Sequence, residues 1–151
     1  MSTATDTVTP ASPRVRLSSL RADSALERNG DWVDAMSIPG VAFNVRSINF
    51  PRYTVARDLL LQRLRRQSGG KPIAQDTLYT ELGRLYAEHI LLDWRGFDVP
   101  YSRETAMQTL TDPEYRDVVM AVETAAGQVG QSQIEFCEDA AKNSAVPSVT
   151  G

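Results

Sequence analysis

Hydrophobic positions change period once along this chain, near Phe50. Before it, Val41, Phe43 and Val45 alternate with Asn44 and Arg46, the spacing of a half-buried strand. Asp31 to Met36 forms a second, shorter strand candidate, and Ser37-Ile38-Pro39-Gly40 between them carries a Pro-Gly turn. The pair reads as a β-hairpin over residues 31–47. A lone hairpin is marginal in water, so it has to lie against helices or against a strand of another chain. Upstream, Val15 to Leu20 is a short ordered lead-in, and Leu26 to Gly30 ends in the Asn-Gly of a turn.

After Phe50 the period becomes 3.6. Tyr53, Ala56, Leu60 and Leu64 trace one helical face, broadened by Leu59 and Leu61, and Ser68-Gly69-Gly70-Lys71-Pro72 stops that helix. The expected span is Pro51 to Gln67. Leu78, Leu82, Leu85, His89 and Leu92 then recur at spacings of four and three, with Tyr79, Tyr86 and Ile90 beside them. They predict a long helix from Ile73 to Trp94 around which the rest is organised. Gly96 is placed as its left-handed C-cap, with Phe97 folding back onto the last turn. Ser102 is an N-cap candidate for a helix over Arg103 to Leu110. Thr111-Asp112-Pro113-Glu114 starts another, running to Val129, with either Asp112 or Thr111 as its cap. A weaker helix is expected over residues 132–142. The fold class is therefore α+β: a short N-terminal hairpin followed by a mainly helical part, 51–142, within one domain spanning 14–144. Residues 1–13 and 145–151 are poor in large apolar groups and are expected to be flexible tails.

Composition narrows the class without naming a function. The chain has 151 residues, of which 42% are hydrophobic and 23% charged, ordinary values for a globular protein with a core of its own. No apolar run approaches the ~18 residues of a membrane span, and the N-terminus lacks a signal-peptide pattern, so an intracellular, membrane-free setting is expected. Cys137 is the single cysteine, which rules out an internal disulfide. Charge is uneven. Through Lys71 there are 11 basic and 6 acidic residues, a net of +5; from Pro72 onward 5 basic and 13 acidic, a net of −8. Such a split either steers head-to-tail association or reflects two solvated faces.

Catalytic parts are scarce. One His and one Cys leave zinc short of its usual four ligands. His89, on the inward seam, reads as a satisfied, partly buried side chain, and Cys137 as a small hydrophobe. Glu81 and Glu88 read as a solvated face. Gly69-Gly70-Lys71 lacks the leading glycine and the hydroxyl residue of a phosphate loop. Arg63, Arg65, Arg66 and Lys71 form a basic cluster without interleaved aromatics, and the acidic second half would repel phosphate, so nucleic acid is not expected as a partner. No enzyme activity, cofactor or metal is expected. Trp32, Phe43, Trp94, Phe97 and Tyr101 stand out instead, as structural anchors or partner contacts.

The order of segments resembles tail assembly chaperones of long-tailed bacteriophages. The matching parts are Asp31-Trp32-Val33, the Ile38-Pro39-Gly40-Val41 strand pair, His89-Ile-Leu-Leu-Asp-Trp-Arg-Gly-Phe97, Val99-Pro-Tyr-Ser102, Leu110-Thr-Asp-Pro-Glu-Tyr-Arg-Asp117 and Glu138-Asp-Ala-Ala-Lys-Asn-Ser144. The likeness spans Arg16 to Ser144. Between Gly96 and Pro100 this chain is shorter than similar proteins. The resemblance implies a non-enzymatic binder of the tape measure protein that helps recruit tail tube subunits. It also implies a place in the host cell cytoplasm and absence from the finished virion. A homo-oligomer is expected from the charge split and from the unpaired hairpin edges. A minor structural component of the tail or head–tail junction is the alternative, and a small nucleic-acid-associated factor a third reading.

Overall fold

A computed structural model of the protein describes residues 12–137. The predicted tail at 145–151, most of that at 1–13, and Glu138 to Ser144 lie outside the described residues. Contacts divide the chain into one unit, Ala22–Gln131, and a smaller one built from the segments before and after it in sequence.

The larger unit is α+β, as its hydrophobic periods predict. Helix α1 (Ser24–Asn29) leads into strands β1 (Asp31–Asp34) and β2 (Ala42–Val45). Helices α2 (Pro51–Ser68) and α3 (Gln75–Leu85) follow, then β3 (Leu91–Arg95), α4 (Arg103–Leu110) and α5 (Arg116–Gln128). The hairpin is present: Asp31 faces Val45 and Asp34 faces Ala42 in antiparallel register. Its connection closes through Ala35 N–H to the Val41 carbonyl at 2.8 Å.

Local chemistry explains most helix ends. Pro51 sits in the first turn of α2, where its missing N–H costs nothing, and Gly69 takes the left-handed C-cap. The Ser102 side chain accepts from the Thr105 N–H and starts α4. Of the two candidate caps before α5, the structure uses Asp112, whose carboxylate accepts from the Glu114 N–H. A tight 3-10 turn, Pro113–Tyr115, then precedes α5. The Asn-Gly at 29–30 ends helix α1, which the sequence read only as a turn. Asp23 caps α1 at its start, and Gly30 at φ 87° closes it.

Several expectations are corrected. The long central helix does not reach Trp94. It ends at Leu85, passes through one π-turn, Tyr86–Ile90, and continues as β3. Strand β3 pairs antiparallel with β2, Phe43 facing Trp94 and Ala42 facing Arg95. Gly96 is thus a strand end and not a helix cap, and Phe97 packs on the sheet's aromatics and not on a helical turn. The hairpin needs no strand from another chain, because β2 is the middle strand of a sheet ordered β1-β2-β3. Leu59 does not broaden the buried face of α2; it is 61% exposed. Residues 132–137, in the smaller unit, are not helical: Phe136 bridges to Val15, and the Arg16 N–H bonds the Glu135 carbonyl at 2.7 Å.

The core is formed by one sheet face and the helices packed on it. Phe43, Val45, Ile90, Leu110 and Val122 are fully buried there. Tyr53 and Tyr86 stack within it, ring centroids 5.4 Å apart. Burial raises the ionisation of both phenols above the ordinary tyrosine value. For Tyr86, the Tyr53 hydroxyl and the Glu123 carboxylate push further in the same direction. The unfolded chain therefore releases these protons more readily than the native one. Their contribution to stability is complete below pH ~10 and is lost as pH rises beyond it. An alkaline titration followed by near-ultraviolet circular dichroism is expected to show tyrosine ionisation and loss of tertiary signal together. Both tyrosines titrating near pH 10 with the fold intact would contradict this packing.

Candidate interaction surface

The structure brings four of the five singled-out aromatics together. Phe43 and Trp94 are neighbours across the β2–β3 ladder. The Trp94 indole is 7% exposed and donates from Nε1 to the Val99 carbonyl at 2.9 Å. Phe97 and Tyr101 meet it edge-on at centroid distances of 5.3 and 5.4 Å, and Phe97 lies 6.1 Å from Phe43. The Tyr101 hydroxyl donates to the Leu91 carbonyl at 3.4 Å. Burial, and then the nearby Asp93 charge, raise the Tyr101 phenol above its usual range. Phe43 and Trp94 are therefore buried anchors of the corner. Gly96 at φ 97° permits the corner, because a Cβ there would overlap the Gly40 carbonyl of the β1–β2 turn.

The corner also leaves a pocket of about 140 Å³ on its far side. Trp94, Phe97, Val99 and Val118 supply apolar walls, and Asp98, Thr105, Thr109 and Tyr115 complete them. Val99 and Tyr115 are about half exposed, so the pocket reaches solvent. The sequence singled out Trp94 and Phe97 but missed the helical half of this pocket. Thr105 and Thr109 recur at the four-residue spacing of one helical face, which was the available signal.

Trp32 stands apart. On the opposite sheet face it faces Asn44, and it is 36% exposed. The Arg95 guanidinium lies over its ring, 4.6 Å from the centroid, a cation–π contact. Asn44 beside it keeps a buried side-chain oxygen without a hydrogen-bond partner among the described residues. Trp32 is thus the most exposed of the five singled-out aromatics.

The remaining chemical candidates stay separate. The His89 ring is 3.7 Å from Glu88, and its backbone carbonyl accepts from Arg46 at 3.2 Å. Glu81 is engaged by Arg63 at 3.3 Å and Arg84 at 3.7 Å, not by a second carboxylate. Cys137, read as a small hydrophobe, is exposed. Among the described residues no group of three or more His, Cys, Asp or Glu is placed to hold a metal, and no helix is long and apolar enough to cross a membrane. A His89→Gln substitution is expected to leave the fold intact, with a circular dichroism spectrum and a melting temperature close to wild type. A His89→Gln protein that fails to fold would assign the ring a structural role.

Comparison with known families matches residues 48–143 to the YdaY prophage protein family, and the chain belongs to that family. It is a phage-related protein. The matched segment contains α2, β3 and the whole pocket, while the Trp32 hairpin precedes it. Searches of curated proteins and of solved structures give no match.

Proposed function

We propose that this protein is a non-enzymatic tail assembly chaperone, which binds the tape measure protein and helps recruit tail tube subunits during tail morphogenesis in the host cytoplasm. Family membership supports the phage setting, and the Leu91-Leu-Asp-Trp-Arg-Gly96 and Pro100-Tyr-Ser102 segments support the chaperone class by resemblance. The observation that carries the reading is Trp32. A tryptophan one-third exposed on a sheet strand, with an arginine over its ring, is the type of side chain that anchors protein contacts. A long helical client offers the apolar stripes such a ring covers.

The test is co-expression of the chain with the tape measure protein encoded beside it, followed by affinity capture. Wild type is expected to retain the client. Trp32→Ala is expected to lose at least about tenfold in affinity while keeping its circular dichroism and melting temperature close to wild type. Capture undiminished by Trp32→Ala would move the client site elsewhere; no capture by wild type would remove the chaperone reading.

A further inference from the structure

Two surfaces of the larger unit are complementary to each other in shape and charge. The first is the outward face of α2. Arg52, Val55, Leu59, Arg63 and Arg66 recur at three- and four-residue spacings and so share one side of the helix. The core contacts leave on another side, through Tyr53, Leu60 and Leu64. Val55 is 59% and Leu59 61% exposed, a bare apolar pair. α2 carries five arginines against one aspartate, and Arg52, Arg65 and Arg66 have no ion-pair partner among the described residues. Arg63, held by Glu81, fixes that side of the ridge.

The second surface is the pocket behind Trp94. Its volume, about 140 Å³, is close to the ~150 Å³ that admits one benzene-sized apolar group. Asp98 is the carboxylate in its lining, and the segment that supplies most of that lining, residues 97–118, holds five carboxylates, Asp98, Glu104, Asp112, Glu114 and Asp117, against two arginines, Arg103 and Arg116. Glu104, Glu114 and Asp117 are exposed. An isolated apolar socket within an acidic field suits a bare leucine within a basic one.

We infer that the α2 ridge of one copy docks into the Trp94 pocket of the next, Leu59 entering the pocket and the α2 arginines facing the acidic segment that lines it. The contact joins different surfaces of two identical chains, so it is head-to-tail. It closes into a ring or continues as a spiral according to the rotation per step. It does not use the strand edges, and it does not depend on the chaperone reading.

The test uses the full-length chain and two variants. Leu59→Glu disables the ridge and leaves the pocket; Thr109→Trp fills the pocket and leaves the ridge. Wild type is expected to self-associate in analytical ultracentrifugation. Association is expected to weaken as salt rises, since exposed charges are screened beyond about 8 Å at physiological ionic strength. Each variant alone is expected to associate at least about tenfold more weakly. Mixed, the two are expected to form a one-to-one dimer and nothing larger, because each supplies the half the other lacks. Circular dichroism checks that Thr109→Trp is folded. If it is not, the surface reversal Glu114→Lys with Asp117→Lys takes its place. A monomeric wild type at high concentration and low salt would overturn the inference. So would variants that associate like wild type, or folded variants that stay monomeric when mixed. A two-fold dimer through α2 alone would show itself by surviving Thr109→Trp.

Discussion

Gly83→Ala is expected to destabilise the protein by about 3 kcal/mol or more, the upper end of what overpacking costs. In an exposed helix interior the same change stabilises by roughly 1 kcal/mol, because glycine carries excess chain entropy. Gly83 is buried in α3, and a Cβ built on it would overlap the Leu110 carbonyl at the end of α4. Neither neighbour is a flexible side chain. Both helices have to move apart, and Leu110, itself fully buried, would move with them. Denaturant unfolding of the purified variant reads the effect as a lower midpoint with an unchanged slope. A midpoint equal to or above wild type would show that α3 and α4 do not meet at this glycine.

Trp94→Ala is the second large effect. The indole is almost fully buried, contacts two further rings edge-on and gives its only N–H to Val99. Truncation removes the ring's burial, opens a cavity and leaves the Val99 carbonyl without that donor, which together cost about 3–5 kcal/mol. The melting temperature is expected to fall by roughly 10 °C or more. Trp94→Phe separates the two contributions. It keeps most of the apolar volume and loses the hydrogen bond, so it is expected to fall between wild type and alanine. A Trp94→Ala protein that melts with wild type would contradict the buried corner. Because Trp94 also lines the pocket, its substitutions belong to stability measurements; the pocket is better addressed through Thr109.

Most of the fold was legible because its signals are local. The hairpin followed from strict alternation through Val41, Phe43 and Val45, and α4 from the Ser102 cap. The Gly69 stop and the Asp112-Pro113 start have their own short-range chemistry, and each appears where the pattern put it. Strand β3 was not legible for the same reason. Leu91-Leu92-Asp93-Trp94 continues the three-four spacing of α3 closely enough that period alone cannot separate helix from strand. The choice is made by β2, whose open edge offers backbone partners about fifty residues earlier in sequence. The π-turn at Tyr86–Ile90 is where the chain changes from one ladder to the other. Leu59 failed similarly. Composition marks it as apolar and adjacent to Leu60, but only the packing of α2 decides which of two neighbouring leucines turns inward.

The candidate site divides the same way. The aromatics announced themselves, yet the sequence did not separate the four that build the corner from Trp32, which lies on the other sheet face. That separation depends on which sheet face each residue occupies, and hence on the register of β1 with β2 and of β2 with β3. A charge split into a basic first half and an acidic second half was visible at once. Which of those charges lie on the outward face of α2, and that Asp98 lines the pocket behind Trp94, required the structure.

Co-expression with the tape measure protein, followed by size-exclusion chromatography with light scattering, tests the proposed function most directly. The expected result is one co-eluting species whose mass corresponds to several copies of this chain on one client. Separate elution of the two proteins at high concentration and low salt, together with recovery of this chain from purified virions, would contradict it. That pair of results would make the protein a structural component of the tail.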